Sequence, residues 1–475
     1  MNNVLYENNY SQYVEPIYGN LRNQDEDDIE SLDDFDCNSH NSYKIDFDER
    51  VDLTNHEVFS IDPDGCEDAD DAFSIFEEND KLYLAIHIAD PTEYIKLNSD
   101  LWRNIIERTT TKYPSNRKPI HMIPEAIMKI SSLKGDNELK KVISILTEIN
   151  KNTYKPVGEI KLLFSKILVK LENSFSYKKA SETKDFEVFK IGLKISNALQ
   201  KIRSKNTKGV KLNELSIAYT KFNNNIPYLY QDSEDEKLMK QMIAEFAIFA
   251  NSFVGEYLES TKLINAGIFR TCDAKDWLNN TSDNITGEEM IQQIVTKGIT
   301  ADYMSNVKSH DLVGMPEYCH FTSPIRRLAD CICHYLLKYI YFSENGNNQT
   351  ESLIPFSIDE LETLSLKCID ATKKDKKNQY LDIKFRLLQV MDNMIFEKES
   401  IILEYYITGY SGLFLNIVIC KIDNYKVYMS YTLRVRNYSK EINVDEHQFI
   451  TCTKVNCFTK FDQNCIPELD SHILF

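Results

Sequence analysis

The chain has 475 residues, 42% of them hydrophobic and 11% aromatic, enough for a large packed core and two or three domains. A formal net charge of −18 excludes a global basic field, and no run of about 18 apolar residues offers a membrane span. Eleven cysteines without framework spacing, and an N-terminus (Met1-Asn2-Asn3-Val4-Leu5-Tyr6) without basic and apolar blocks, predict an intracellular protein, cytoplasmic or nuclear.

Residues 1–50 hold 13 acids against 3 bases, so more than half of the net charge lies there. Residues 1–45, with the block Asp25, Glu26, Asp27, Asp28, Glu30, Asp33, Asp34 and Asp36 and no sustained period, read as an acidic disordered tail. Any contact with a polyanion must then come from a local channel and not from overall attraction.

The next stretch, Ser60 to Ala72, packs six acids (Asp62, Asp64, Glu67, Asp68, Asp70, Asp71) into ten positions between the apolar flanks Val58, Phe59, Ile61 and Phe73, Ile75, Phe76. A solvated charge run is normally polar on both sides. Acids clamped between two buried strands instead suggest a divalent-metal site, and an oxygen-only donor set favours Mg²⁺ or Mn²⁺ over Zn²⁺. Phosphoryl chemistry is the natural use of such a site. Two blander readings stand beside it. An EF-hand loop starting at Asp62 would place Cys66 at an oxygen position and Gly65 too early, and a solvated acidic turn needs no ligand at all.

Leu82, Leu84, Ile86 and Ile88 alternate in a strand that ends at Pro91, so the acidic loop hangs beside a sheet. His87 on that strand reads as a satisfied core residue. Thr109 to Pro119 is a loop by its prolines and carries Lys112, Tyr113, Arg117 and Lys118, a composition suited to stacking a nucleotide and neutralising its phosphate. Val142–Ile149 and Ile160–Val169 read as paired strands. Helices follow on the spacing of Val188, Ile191, Ile195, Leu199 and Ile202, and after the capping box Ser233-x-x-Glu236.

The second informative stretch is Tyr318-Cys319-His320-Phe321-Thr322-Ser323-Pro324-Ile325-Arg326-Arg327. Pro324 is expected in the first turn of a helix capped by Ser323 or Thr322, so that backbone N–H groups and Arg326 or Arg327 converge on a phosphate. The bland alternative is an ordinary capped surface helix. Cys331, Cys333 and His334 resemble metal ligands only superficially, because neighbours on a helix point apart. Ser357-x-x-Glu360 caps another helical region, expected to be interrupted by the solvated run Lys373, Lys374, Lys376, Lys377. From Ile401 short β runs separated by Gly409, Gly412 and Asn424 suggest a small β-barrel.

Together the two stretches resemble the ribonuclease II (RNB) family of 3′→5′ exoribonucleases. Ile61-Asp62-Pro63 followed by Asp68-x-Asp70-Asp71-Ala72 matches its metal site, and His320 to Arg327 its second hallmark. The wording Pro63-Asp64-Gly65-Cys66 is nearest the exosome-type branch, and Arg50-x-Asp52-Leu53, Ala89-Asp90-Pro91-Thr92, Met122-Ile123-Pro124-Glu125 and Ile243-x-Glu245-Phe246 add lesser matches. The resemblance implies an α+β fold: an RNB-type catalytic domain over 46–398, with a mixed sheet surrounded by helices, then an OB-type RNA-binding β-barrel over 399–475.

It also implies Asp62, Asp68, Asp70 and Asp71 as Mg²⁺ or Mn²⁺ ligands, with Asp70 the least replaceable and Arg326 on the scissile phosphate. Tyr113 would stack on the 3′-terminal base, with Arg327, Thr322 and Ser323 as further RNA contacts. The implied reaction is two-metal hydrolysis of single-stranded RNA to nucleoside 5′-monophosphates. Family members carry cold-shock barrels ahead of this domain where this chain has its acidic tail, which implies a protein partner in their place. An adaptor that has kept the fold and binds RNA without cutting it is the alternative from another class.

Overall fold

The computed structural model describes residues 2–19, 43–205, 217–261, 263–264, 266–281, 289–290, 293–294, 298–345, 354–411, 414–434, 447–461 and 467–474. The acidic block 25–36, the Gly412-Leu413 pair and Arg436 lie outside them.

The first strands in chain order are β1 (Val51–Asp52), β2 (Ser60–Asp62), β3 (Asp71–Glu78), β4 (Lys81–Ala89), β5 (Leu139–Ile149), β6 (Pro156–Leu168) and β7 (Ser174–Ser176). Five form a mixed sheet in the order β1-β6-β5-β4-β3, antiparallel except where β1 meets β6. β5 and β6 pair as the sequence predicts. β4 lies inside the sheet, between β5 and β3, and both its faces are buried past Tyr83. His87 therefore needs partners on the inner side, and its ring nitrogens meet Ser74 Oγ at 3.0 Å and Ser144 Oγ at 2.7 Å.

Helices Glu187–Arg203 and Glu234–Ser260 cover the sheet, the second opened by the expected Ser233/Glu236 capping box. Gly255 lets that second helix approach the 317–323 segment closely, since a Cβ there would stand 2.9 Å from the Tyr318 backbone nitrogen. Between the helices a hairpin of β8 (Tyr219–Asn223) and β9 (Ile226–Tyr230) projects, and β10 (Phe269–Thr271) pairs with β11 (Asp302–Met304). Helix Leu328–Glu344 is buried nearly throughout.

The helix capped by Ser357 and Glu360 runs unbroken from Ile358 to Lys398, through the lysine run expected to interrupt it. Lysine is a good helix former, so four of them turn a face outward without ending the helix. Beyond it β12 (Ile401–Ser411), β13 (Phe414–Ile422), β14 (Tyr425–Arg434) and β15 (His447–Cys452) form an antiparallel sheet in the order β14-β13-β12-β15. A hairpin of β16 (Lys454–Phe461) and β17 (Pro467–Leu474) completes the small OB-like unit. Leu387, Leu388 and Met391 of the long helix, with Leu229 of the hairpin, lie in its apolar core. One helix thus bridges the boundary drawn at 398.

The N-terminus differs from the expected tail. Residues 2–18 form successive helical turns, and Tyr6, Tyr10, Val14 and Tyr18 bury themselves against Phe385 and Ile120. The hydroxyls of Tyr10 and Tyr18 donate to Asp382 at 2.9 and 2.6 Å, and Glu7 pairs with Arg386 at 2.5 Å. An apolar stripe with charged ends escaped a reading dominated by the acidic block that follows it.

Candidate active site

Strand pairing fixes both ends of the acidic loop. Asp62 closes β2, which runs parallel to β7 with Asp62 opposite Ser176, while Asp71 opens β3, and Phe59 and Phe73 bridge the two. Between them Gly65 turns the chain at φ +78°, a region in which a side chain is strained. Ala69 is then held on both sides: its N–H donates to Ser132 Oγ at 3.1 Å and its carbonyl accepts from Leu133 at 2.8 Å. Asp68 and Asp70 are buried as a result. Asp64, outside the matched pattern, turns away to Lys221 of the hairpin.

The 318–327 stretch is shaped by Asn251 of helix Glu234–Ser260. Its side-chain oxygen accepts from the N–H groups of Phe321 and Thr322 at 2.9 and 3.2 Å, and its amide donates to Tyr318 Oη at 3.1 Å. The segment then turns onto the acidic loop. Ile325 N–H donates to Asp70 Oδ1 at 2.8 Å and Arg326 Nε to Asp70 Oδ2 at 2.9 Å, while Arg326 Nη2 donates to Ser323 Oγ at 2.9 Å. Thr111 N–H bonds the Arg326 carbonyl and Leu328 N–H that of Thr109. These bonds bring in Tyr113, whose hydroxyl donates to Asp68 Oδ2. Three stretches, near 65, 111 and 325, thus meet.

Two expectations need correction. The helix begins at Leu328, with Arg327 extended before it at φ −139°, so Pro324 lies outside the first turn. The donors foreseen for phosphate are already taken: Ser323 N–H goes to Asp330 at 2.7 Å and Ile325 N–H to Asp70. Thr322 and Ser323 are both buried. They shape the loop, Ser323 by holding Arg326. Of the loop cations, Lys112 pairs with Asp375 at 2.9 Å, and Arg117 with Glu7 and Glu15 of the N-terminal segment.

Burial dominates the electrostatics. It pushes the Asp70 carboxyl up to about 7, against the pull of Arg326, and Asp71 up to about 6, against Arg326 and Arg327. Asp62 is raised well above the usual carboxylate range by burial and by the charges of Asp71, Asp70 and Asp68. The Tyr113 hydroxyl is held protonated by burial and Asp68. Arg326 stays charged, because Asp70 and Tyr113 outweigh its desolvation. Arg326 and Arg327 only partly compensate this set of buried carboxylates, and the donors are hard oxygens that fit Mg²⁺ or Mn²⁺. Among the described residues no three side chains already converge as a ligand set, and each Asp70 oxygen accepts one protein hydrogen bond, from Ile325 and from Arg326.

Several residues at the site escaped the sequence reading. Tyr177 lies close enough to Asp71 and Asp62 to feel their charge. Arg270, Tyr303, His320 and Lys376 join Tyr113, Arg326 and Arg327 around a cavity of about 250 Å³. The lysine run at 373–377 was a signal in plain view, read as a solvated face. Asn251, a single amide in an apolar helix, carried none. Cys331 and Cys333 hold no metal-like arrangement, Cys333 facing Cys319 at 3.9 Å and Cys331 the Pro324 carbonyl.

Residues 50–343 match the family model described as RNB domain. Among curated relatives, the exosome complex exonuclease RRP44 homolog A of Arabidopsis thaliana is 29% identical over a region covering 61% of this chain and 35% of its own length. Ribonuclease R of Mycoplasma pneumoniae is 25% identical, covering 65% and 48%. The chain therefore spans between a third and a half of these relatives. In fold it is similar to Mycoplasma genitalium RNase R in complex with ribose methylated single-stranded RNA, with TM-score 0.66, 19% identity, and 85% of this chain and 67% of that chain covered. It is also similar to yeast Ssd1, described as a pseudonuclease, with TM-score 0.62, 17% identity and coverage of 82% and 50%.

Proposed function

The chain belongs to the RNB-domain family, and on that premise we propose that it is a 3′→5′ exoribonuclease releasing nucleoside 5′-monophosphates from single-stranded RNA. One observation carries the reading: four acids of one loop are tied through Asp70 to Arg326 and through Asp68 to Tyr113. Charge-neutralising and aromatic groups stand together where an RNA 3′ end would need them. Residues 46–398 would carry the chemistry and 399–475 would add RNA affinity.

In this mechanism Asp62, Asp68, Asp70 and Asp71 would hold the divalent ions. Bound there, Mg²⁺ or Mn²⁺ supplies an activated water and charge neutralisation at the phosphate. The chain's own groups do the rest. The Tyr113 ring, half-exposed while its hydroxyl is anchored, presents a stacking face for the terminal base. Arg326 is fixed through Nε and Nη2, and its exposed side presents positive charge to a phosphate whose negative charge grows in the transition state. Stacking and phosphate contacts read no base edges, so little sequence preference is expected.

The test uses purified protein, 5′-labelled single-stranded RNA and Mg²⁺. A descending ladder in wild type and intact RNA with Asp70→Asn is the expected pair of lanes. RNA uncut by the wild type would overturn the reading. A shift in RNA mobility without shortening would establish the second one, an RNA-binding adaptor, which the engagement of both Asp70 oxygens by protein donors favours.

A further inference from the structure

The cavity bordered by Arg326 and Tyr113 is lined by Thr109 to Lys112 and by residues that the reaction above does not use. Its wall carries five cations, Lys112, Arg270, Arg326, Arg327 and Lys376, and one lining acid, Asp375. Three of the cations have carboxylate partners: Lys112 with Asp375, Arg326 with Asp70 and Arg327 with Asp330. Arg270 and Lys376 have none among the described residues.

Arg270 is the more telling of the two. It is 7% exposed, comes from β10 directly opposite Tyr303 of β11, and lies over that ring at 4.5 Å. A guanidinium with so little exposure and no carboxylate in ion-pair contact favours an anion in the space it borders. Lys376 reaches the same space from the long helix. Burial and the Arg270 charge push its ammonium below its ordinary value, against the pull of Asp302. The Arg327 Nε is a further buried donor without an acceptor.

The remaining wall is aromatic. Tyr113, Tyr303, His320 and Tyr18 line it, and the Tyr303 hydroxyl meets His320 Nδ1 at 2.7 Å. Burial and the nearby arginines hold the His320 imidazole neutral. The chemistry that satisfies this wall is one phosphate for the free cations and a flat ring system for the aromatic side.

We propose that this cavity is a nucleoside-monophosphate site, in which Arg270 and Lys376 hold the phosphate of the released product on the far side of Arg326 from the carboxylates. The product role rests on the exoribonuclease reading, while the affinity for a phosphorylated nucleoside does not.

Calorimetric titration of the intact protein in EDTA, without RNA, tests it with adenosine 5′-monophosphate, adenosine and inorganic phosphate as probes. The monophosphate should bind at least about tenfold more tightly than adenosine, and inorganic phosphate should compete with it. Lys376→Gln, on the exposed side of a helix, and Arg270→Gln should each weaken the monophosphate about tenfold, the usual scale of one charged hydrogen bond. Unchanged affinity in Lys376→Gln, or no monophosphate binding to the wild type, overturns the site. RNA left uncut by a protein that binds the monophosphate through Lys376 overturns the product role together with the nuclease reading. RNA shortened while the monophosphate stays unbound overturns the site alone.

Discussion

Arg326 Nε donates to Asp70 Oδ2 at 2.9 Å, joining two residues 256 positions apart in the chain. The bond makes one unit of the loop that would hold the metal and the cation that would meet the phosphate. A lysine at 326 keeps the charge but loses the planar fork that reaches Asp70 and Ser323 together. Arg326→Lys should lower kcat on labelled RNA by about 10²–10³ with a smaller change in KM, as removal of a transition-state donor does. An unchanged kcat would place Arg326 outside the chemistry.

The raised carboxyls make a prediction that needs no substrate. A carboxyl whose folded pKa lies above its unfolded value of about 3.9 holds an extra proton in the native state between the two, so its contribution to stability falls as pH rises through that window. For Asp70, raised to about 7, the wild-type melting temperature minus that of Asp70→Asn should fall between about pH 4 and pH 7 in EDTA. Mn²⁺ should raise the wild-type melting temperature at pH 7 and that of Asp70→Asn less. A pH-independent difference would contradict the burial of this carboxylate.

Asn251 acts at a distance from the phosphate. Asn251→Ala would leave the buried N–H groups of Phe321 and Thr322 without their acceptor, at a cost of about 2–4 kcal/mol. Urea denaturation should show that loss. The surviving folded protein should retain KM and lose kcat, because the segment that aims Arg326 is loosened while the stacking face of Tyr113 is not.

The N-terminal turns should behave as part of the folded body. Tyr18→Phe removes a 2.6 Å bond to the buried Asp382 and should cost about 1–3 kcal/mol in the same assay. Limited proteolysis should cut the variant before residue 18 faster than the wild type. Equal cleavage rates would return this segment to the status of a tail.

The buried charges behind the sheet offer a control away from the site. Lys338 pairs with Asp90 at 3.1 Å and with Glu93 at 2.5 Å, none of the three side chains being exposed. Lys338→Met should cost about 3–5 kcal/mol in urea denaturation, since it strands two carboxylates with fewer cations.

What the sequence determined by itself was local chemistry. The acids from Asp62 to Asp71, the paired strands, both capping boxes and the family resemblance were all legible, because period, cap and loop composition act over a few residues. The acidic loop was read correctly as clamped between strands. The tertiary structure alone decided which donors were already spent. The helix start moved from Pro324 to Leu328, Thr322 and Ser323 turned inward, and the lysine run stayed helical and sent Lys376 into a cavity with Arg270. Each of these depends on partners distant in the chain, such as Asp70 for Ile325 and Asn251 for Phe321. Sequence spacing fixes which groups a segment offers, while only the packing of distant segments fixes which of them remain free for a ligand.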